Sequence, residues 1–456
     1  MAGRKLTKDM TQGNPTKLIL SFIVPMIFGF LFQQFYNMAD AMIVGKFLGV
    51  HALASVGATG SINFCVIGFC MGVCNGFAIP VSQKFGAQDE KGIRRYVGNS
   101  AILAMIFAVV MTIVVVLFCR PILEAMHTPS KIIEGAYDYI VVIFLGIPAT
   151  YLYNMLSGYI RALGDAKTPV LFLTMSSLLN IVLDLVLILV FHMGVAGAAW
   201  ATVISQAVSG IACLGYMTKH FPVLRLKKED WSVNMHCMKI LCTMGVPMGL
   251  QYSITAVGSV ILQVAVNSLG AAAVAAVTAG SKIGMLLSCP FDAMGATMAT
   301  YAGQNIGAGK LKRIGTGLKS CILIGAGYSV IALFIAVLGG RQIACLFVNK
   351  AEIKIIEQIY LYLVLNAIFY FLLALINIIR FSIQGMGYSM FAILAGVCEM
   401  VARSILGFLL VPRFGFPVVC LANGIAWIAA DLFLIPAYFH VRNKLRRLFD
   451  KREGRE

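Results

Sequence analysis

Two carboxylates, Asp40 and Asp184, interrupt long apolar stretches of the chain. Inside a lipid bilayer an ionisable group costs something like 2.5 to 3.5 kcal/mol on insertion scales, so each one is a functional candidate. Side chains three or four residues apart share one face of a helix. Asp40 is joined on its face by three polar residues: Gln33, Tyr36 and Asn37. Asp184 is joined in the same way by Asn180.

Proton or cation binding is the chemistry that these residues could perform. Two carboxylates in a partly dry cavity favour a shared proton, because desolvation and like charge both favour the neutral form. Together with amide and hydroxyl oxygens, the same carboxylates could hold a small cation. At about 1.5 Å per residue, Asp40, Asp184 and Thr202 lie roughly 8 to 11 Å below the outer ends of their helices, and Tyr139 is at a similar or shallower depth. Buried structural hydrogen bonding is the alternative.

The composition requires lipid around the elements that carry these residues. Of 456 residues, 60% are hydrophobic and 12% are charged, with a mean hydropathy of +0.88, whereas a globular domain has about 25% charged residues. Apolar runs of membrane-crossing length recur between polar joints. The twelve predicted spans are 18–45, 53–83, 98–119, 136–160, 169–191, 195–218, 240–267, 271–305, 317–340, 355–379, 390–411 and 415–441. Since transmembrane strands alternate over only about 10 residues, these continuous runs predict an all-α membrane protein.

The basic residues indicate the orientation of the chain. The 36 Lys and Arg outnumber the 19 Asp and Glu, but they lie in short joints rather than on one basic face, which argues against nucleic-acid binding. With Arg380 placed in a loop, 27 of them fall on the side of the termini and 7 on the other side. Positive loops stay in the cytoplasm, so we expect a multi-pass cell-membrane protein with both termini cytoplasmic. The N-terminus has no cleavage site typical of a signal peptide.

A long polar joint near the middle divides the chain into two halves of six spans. An even number of spans gives both halves the same orientation, which predicts two parallel-repeat lobes around a central cleft. We expect five segments: a cytoplasmic N-terminal segment 1–17, an N-lobe 18–218, a cytoplasmic linker 219–239, a C-lobe 240–441 and a basic cytoplasmic tail 442–456.

The two halves are an internal duplication with an offset of 221 residues. Identical residues align in several places, including Gly49 with Gly270, Gln83 with Gln304 and Gly164 with Gly385. At this offset the counterparts of Asp40, Asn180 and Asp184 are Ile261, Val401 and Ile405. The second lobe is therefore predicted to repeat these helices without their carboxylates.

Other charged residues inside the predicted spans have open roles. Glu399 and Arg403 are four residues apart and could neutralise each other, with a substrate-facing role as the alternative. Asp292, Lys282 and Asp431 have no partner that the sequence identifies, and structural and functional roles stay equally open.

Four polar residues are candidates for contact with a substrate in the cleft: Gln33, Asn37, Asp292 and Glu399. Pro25 interrupts the first span and frees a backbone carbonyl, which predicts a bend there. That bend is either a hinge of a moving helix or a static kink.

Enzyme signatures do not accompany this pattern. The sequence GAGK at 307–310 is not a phosphate loop, because Gln304 replaces the first glycine of that motif and Leu311 follows the lysine. The twelve cysteines have no zinc-like spacing and are interpreted as small buried apolar residues. We therefore expect no ATP, no cofactor and no resident metal, and predict that the protein is not an enzyme.

Six stretches resemble the multidrug and toxic compound extrusion (MATE) family, and the resemblance covers about 15–440. They are YNMADAMIVGKFLG (36–49), PVSQKFGAQ (80–88), YIRALGDAKTP (159–169), NIVLD (180–184), GVAGAAWATVISQ (194–206) and GQNIGAGK (303–310). The resemblance implies a twelve-helix exporter that exchanges organic cations or other amphiphiles for H⁺ or Na⁺.

Within the family the chain is most similar to the prokaryotic DinF-like branch. That branch's coupling site falls here on five residues that match in type: Asp40, Tyr139, Asn180, Asp184 and Thr202. The NorM-like branch has acidic residues in the seventh and tenth spans, where this chain has Gln251 and Asn366. The resemblance also links Pro25 to bending of the first helix upon protonation.

The function predicted from these features is multidrug or organic-cation efflux by an antiporter that uses alternating access. H⁺ is the expected coupling ion, with Na⁺ at Asp40, Asn180, Asp184 and Thr202 as the alternative. The competing function is a flippase for lipid-linked oligosaccharides or related amphiphiles, which needs cationic residues along its cleft. We expect a monomer whose partners are small amphiphilic or cationic substrates and the lipid bilayer.

Overall fold

The computed structural model describes residues 7–126, 128–348 and 352–452. All regular secondary structure in these ranges is helical. The helices of the first half are α1 (Pro15–Leu48), α2 (Val50–Ala58), α3 (Gly60–Gly86), α4 (Glu90–Ala125), α5 (Ile133–Leu145), α6 (Ile147–Ala162), α7 (Lys167–Leu185) and α8 (Gly194–His220). A π-helical segment, Val186–Val190, continues α7.

The second half repeats the order of long and broken helices, except that one long helix replaces the pair α2 and α3 and a short helix precedes the last one. Its helices are α9 (Met235–Asn267), α10 (Ala271–Gly307), α11 (Leu311–Ala344), α12 (Ile353–Ile368), α13 (Tyr370–Gly385), α14 (Met390–Ile405), α15 (Val411–Phe414) and α16 (Phe416–Arg452). A π-helical segment, Leu406–Leu410, follows α14 as its counterpart follows α7. Two short 3₁₀ helices, Pro222–Leu224 and Lys228–Trp231, lie in the joint between the halves.

Ten of the helices in the described residues are long and apolar enough to cross a membrane, and two bent pairs complete a set of twelve. The pairs are α5 with α6, bent by 47°, and α12 with α13, bent by 50°. This confirms the predicted all-α class and its twelve spans. The predicted second span is wrong at its start, because α2 is a separate helix that ends before α3 begins at Gly60.

The described residues form two compact units. Unit 1 contains the described residues up to Asp9 together with Phe28–Ser253. Unit 2 contains Met10–Ile27 and the described chain from Ile254 onward. The boundaries therefore fall inside α1 and inside α9. The α1 boundary lies two residues after Pro25, and the α9 boundary lies six residues after Pro247, the proline inside that helix.

Close approach of backbones holds α3 against the first part of α9 within unit 1. An added Cβ at Gly72 would lie 2.5 Å from the Met248 carbonyl oxygen, and one at Gly76 would lie 2.5 Å from the Gly245 Cα. Small residues at such crossings let transmembrane helices pack by close van der Waals contact. Large apolar side chains such as Leu117 and Leu338 are instead exposed on the outside of their units, as a lipid-facing surface requires.

The duplication is visible in the backbone, but its offset is not constant. Glycines with positive φ recur at Gly49 and Gly270, offset by 221 residues. Gly164, with φ of 88°, corresponds instead to Gly387, with φ of 96°. The predicted pairing of Gly164 with Gly385 is therefore wrong, because the second half contains two additional residues before this turn.

Candidate functional site

Unit 1 contains all five residues that were predicted to bind the coupling ion. Asp40 lies on α1, Tyr139 on α5 and Thr202 on α8, while Asn180 and Asp184 lie on α7. Asn180 and Asp184 are 1% and 0% exposed, and Tyr139 is buried as well. Close packing of α1 on α7 helps to place Asp40, because a Cβ at Gly29 would lie 2.8 Å from Val170 Cγ2.

The carboxyl groups of Asp40 and Asp184 are within hydrogen-bonding reach of each other. Among the described residues, no other donor reaches Asp40 Oδ1 or either carboxylate oxygen of Asp184. Two ionised carboxylates cannot hydrogen-bond to each other, because both are acceptors only. A hydrogen bond in this pair therefore requires one shared proton.

Two tyrosine hydroxyls complete the surroundings of the pair. Tyr139 and Tyr36 each interact electrostatically with both Asp40 and Asp184. Tyr36 was recognised as a neighbour on the face of Asp40 but was not included among the predicted site residues. Its position one helical turn before Asp40 is the signal that could have identified it.

Amide and hydroxyl oxygens lie beside the carboxylates. The Asn180 Nδ2 donates to Thr202 Oγ1 at 3.3 Å, and the Thr202 hydroxyl donates to the Ala198 carbonyl at 3.2 Å. The buried Asn180 Oδ1 accepts no hydrogen bond in the described structure. The group therefore presents oxygen atoms to a proton or to a small, hard cation. Within the described residues, no cluster of three or more His, Cys, Asp or Glu side chains forms a metal site.

The four predicted substrate-contact residues divide between the units. Gln33 is half-buried and Asn37 is exposed on α1 in unit 1. Asp292 belongs to unit 2, where Asn377 Nδ2 donates to its Oδ1 at 3.2 Å, so it has a partner that the sequence did not identify. Glu399 also belongs to unit 2 and is buried among cations.

Glu399 forms ion pairs with two arginines. The predicted contact with Arg403 is present at 3.4 Å between Arg403 Nη2 and Glu399 Oε2. A second and shorter contact joins Arg380 Nη2 to Glu399 Oε1. Arg380 was predicted to lie in a loop, and this is wrong, because it is buried inside α13. Lys282, by contrast, is exposed on α10.

Burial along α7 and α14 corrects the predicted counterparts of the site. Val401 and Ile405, predicted to match Asn180 and Asp184, are 47% and 50% exposed. An offset of 219 residues matches the two helices instead, because it pairs buried Ser177 with buried Gly396 and exposed Met175 with exposed Leu394. At this offset Glu399 corresponds to Asn180, and Arg403 corresponds to Asp184.

The other site residues also have polar counterparts in unit 2. Tyr362 corresponds to Tyr139, since α5 and α12 end at Leu145 and Ile368. Asn423 corresponds to Thr202 at the offset of 221 that relates α8 to α16, and its Nδ2 donates to the Tyr362 hydroxyl at 3.2 Å. Unit 2 therefore has polar side chains at the positions that correspond to the site in unit 1, and Arg403 stands in place of Asp184. The prediction that the second lobe repeats these helices without a carboxylate is wrong, because Glu399 stands in place of Asn180.

The sequence model of the MatE family matches residues 25–186 and 247–409, one match in each half. The chain belongs to this family. The two matched ranges together cover most of the chain, and each includes most of the helices that carry the polar residues described above.

Two curated relatives share the resemblance. The chain is 30% identical over 294 residues to "Probable multidrug resistance protein YpnP" from Bacillus subtilis. The aligned region covers 64% of this chain and 65% of the relative. It is 25% identical over 236 residues to "Multidrug export protein MepA" from Staphylococcus aureus. That aligned region covers 51% of each protein. The matched part of the chain thus spans less than two thirds of the length of these relatives.

Solved structures share the fold over nearly the whole chain. "Crystal structure of MATE in complex with MaL6" superposes with a TM-score of 0.90 at 23% identity, covering 98% of this chain and 100% of that one. The likeness confirms the twelve-helix architecture for this chain.

Proposed function

We propose that the protein is a multidrug efflux antiporter of the plasma membrane, and that Asp40 and Asp184 exchange its coupling ion. The observation that carries the proposal is the contact of half-buried Asp40 with buried Asp184. Among the described residues, no other donor reaches Asp40 Oδ1 or either carboxylate oxygen of Asp184. MatE membership and the names of YpnP and MepA support export of diverse small compounds.

Proton exchange follows from the charge of the pair. With one shared proton the pair carries one negative charge and forms a hydrogen bond, whereas loss of that proton places two negative charges side by side in a poorly solvated site. Gain of a second proton makes the pair neutral. A cationic substrate is attracted by the charged states and released from the neutral state, so opposing movements of protons and cations follow from Coulomb's law.

Sodium is the alternative coupling ion. Asp184 carboxylate, Asn180 Oδ1 and Thr202 Oγ1 supply oxygen ligands of the type that hard cations prefer. In that case Asp40 and Asp184 would be ligands and would stay ionised while the cation is bound.

Pro25 supports a hinge in α1. Proline cannot donate the backbone hydrogen bond of a helix interior and weakens the helix at its position. The boundary between the two compact units crosses α1 just after this residue. We propose that α1 bends here when the charge at Asp40 changes, and that the static kink is the competing interpretation.

A flippase for amphiphiles with an anionic group remains the second candidate function. The finding that favours it is buried Arg380, a cation within a span that the sequence did not reveal. Arg380 and Arg403 both pair with Glu399, however, so part of their positive charge is neutralised. We therefore retain efflux of cations or neutral compounds as the main proposal.

The orientation, location and oligomeric state belong to the same proposal. Moving Arg380 into a span changes the count of basic residues to 26 on the side of the termini and 7 on the other. This asymmetry still supports cytoplasmic termini. We propose that the protein works as a monomer, without ATP or a cofactor.

The test is efflux of a fluorescent lipophilic cation from proteoliposomes, driven separately by a proton gradient and by a sodium gradient. We expect the proton gradient to drive wild-type efflux, and Asp40→Asn and Asp184→Asn each to abolish it. Asp138→Asn is the matched control, because Asp138 is an exposed acid on α5 next to Tyr139. If only the sodium gradient drives efflux, Asp40 and Asp184 are ligands of Na⁺ instead of proton-exchanging groups. Normal transport by both site variants would refute the site.

A further inference from the structure

Unit 2 contains a buried charged cluster that the proposed mechanism does not use. Its members are Arg380 on α13, Glu399 and Arg403 on α14, and Asp431 on α16. All four are at most 6% exposed. Asp431 corresponds to Gly210 of the first half, so the duplication itself does not account for a carboxylate at this position.

Asp431 is the unpaired member of this cluster. Both of its carboxylate oxygens are buried and accept no hydrogen bond in the described structure. Its electrostatic neighbours are Arg380 and Glu399. An ionised carboxylate without a donor pays a large desolvation penalty, so this arrangement suits the neutral acid.

The two arginines have matching unused donors. Arg380 Nε and Arg403 Nη1 are buried and have no acceptor in the described structure. Glu399 already accepts from the Nη2 atom of each side chain. An ionised Asp431 would need a donor, and its neighbour Arg380 has one unused in Nε.

The charges of the cluster oppose the desolvation of Asp431. Arg380, Arg403 and Glu399 together carry one net positive charge, which an ionised Asp431 would cancel. With Asp431 protonated, that positive charge stays buried, which costs desolvation free energy. With Asp431 ionised, a similar cost applies until it acquires donors. The neutral acid therefore prevails in the conformation described, and the ionised form requires a donor to reach Asp431.

Within the described residues, the other helices packed against this part of α16 bring no further charged group to Asp431. The side chain that α12 contributes is Tyr362, whose hydroxyl accepts from Asn423 two turns before Asp431. The carboxylate of Asp292 on α10 is held by Asn377. At the contact of α11 with α16, Gly315 faces Arg442, eleven residues beyond Asp431. The ionisation of Asp431 is thus governed by its two charged neighbours, Arg380 and Glu399, and Arg403 acts only through Glu399.

We propose that Asp431 is a second proton-exchanging carboxylate, located in unit 2. It holds its proton in the conformation described, and on losing that proton to solvent it accepts a hydrogen bond from Arg380. That exchange loosens the contact of Arg380 with Glu399. The site is separate from Asp40 and Asp184, so it stands whether or not their coupling role does.

Infrared difference spectra of the full-length protein in lipid nanodiscs, recorded between acidic and alkaline pH, test this proposal. The background is the Asp40→Asn, Asp184→Asn double variant, which removes the carboxyl signals of the first site. We expect a protonated-carboxyl C=O band that titrates in this background and is lost when Asp431→Asn is added. Asp165→Asn is the control, because Asp165 is a buried carboxylate that already accepts from Thr168 Oγ1 and from the backbone of Lys167 and Thr168.

Asp431→Glu provides the second variant, since it keeps a carboxyl group and does not depend on the folding of Asp431→Asn. We expect its C=O band to shift in frequency, whereas Asp165→Asn leaves the band unchanged. Spectra that are unaffected by both substitutions at Asp431 would overturn the proposal. A band that is lost equally with Asp165→Asn would also overturn it, because the signal would then not belong to Asp431.

Discussion

Asp184 is fully buried on α7, and Asp40 is the only group within its reach that could share a hydrogen bond with its carboxylate in the described structure. This isolation makes the charge of the pair sensitive to a single proton. Tyr36 and Tyr139 add hydroxyl dipoles from two further helical positions. Among the described residues, Asp40 and Asp184 thus form a carboxyl pair beside hydroxyl and amide groups, and gain or loss of one proton would change its charge.

Tyr36→Phe tests whether the hydroxyl that the sequence did not assign belongs to the site. Loss of one hydrogen-bonding group costs about 1 kcal/mol, or roughly a fivefold effect on an equilibrium. We expect proton-driven efflux to fall by about that factor, with less effect on the amount of folded protein. Tyr137→Phe is the control, because Tyr137 faces Arg120 instead. Equal activity of Tyr36→Phe and wild type would remove Tyr36 from the site.

At the scale of elements, close helix crossings position the site. Gly29 lets α1 approach α7, and Gly72 and Gly76 let α3 approach the first part of α9. The breaks in the helices have mixed origins. Gly146 and Pro148 lie at the bend between α5 and α6, whereas the bend after Ile368 has no glycine or proline. The first bend was therefore open to prediction from local sequence, and the second depends on tertiary packing.

Gly76→Ala should destabilise unit 1. The added methyl group would lie 2.5 Å from the Gly245 Cα, a backbone atom that cannot rotate away. Overpacking of this kind costs about 1 to 3 kcal/mol, and we expect a lower melting temperature of the purified protein in detergent. Gly215→Ala is the matched control, since an added Cβ there meets nothing within 4 Å. Equal melting temperatures for the two variants would contradict this account of the crossing.

A carboxylate at the start of α4 is expected to make the stability of the protein depend on pH. Asp89 precedes α4 and accepts from Lys84 Nζ and from the Gly92 backbone N–H, and these bonds lower its pKa below the usual range. A lowered pKa stabilises the fold above the unfolded-state pKa, and the stabilisation is lost as pH falls towards the folded-state value. Asp89→Ala should therefore cost about 1 kcal/mol of stability at neutral pH, and the difference from wild type should shrink in acid.

Melting curves recorded from neutral to acidic pH measure this difference. Glu90→Ala is the comparison, because the Glu90 side chain is 70% exposed and its ion pair with Arg94 is long at 3.7 Å. A pH-independent difference between Asp89→Ala and wild type would show that the carboxylate charge is not the cause.

At the scale of the whole molecule, apolar runs and repeated polar joints predicted most of the fold. Twelve spans and two repeats were evident because lipid requires long apolar helices, whose length and spacing are visible in sequence. The residue-by-residue alignment of the two halves was harder to predict from the sequence. A constant offset failed at α14, where burial rather than residue identity shows that Arg403 stands in place of Asp184.

The residues of the candidate site were predicted by the cost of polar groups in lipid. Asp40 and Asp184 could be assigned because each interrupts an apolar run at similar depth. Arg380 could not, because it lies close to a polar joint, and only the packing of α13 against α14 reveals its contact with Glu399. Duplication followed by divergence thus leaves two buried polar groups of different charge, one in each unit.

In the proposed mechanism, substrate and protons exchange at Asp40 and Asp184. The most direct measurement is proton release when a lipophilic cation is added to the purified protein in weakly buffered detergent solution. We predict that wild type releases protons in proportion to bound cation, and that the Asp40→Asn, Asp184→Asn double variant loses most of this release. Undiminished release by the double variant, or binding by wild type without any release, would contradict the account.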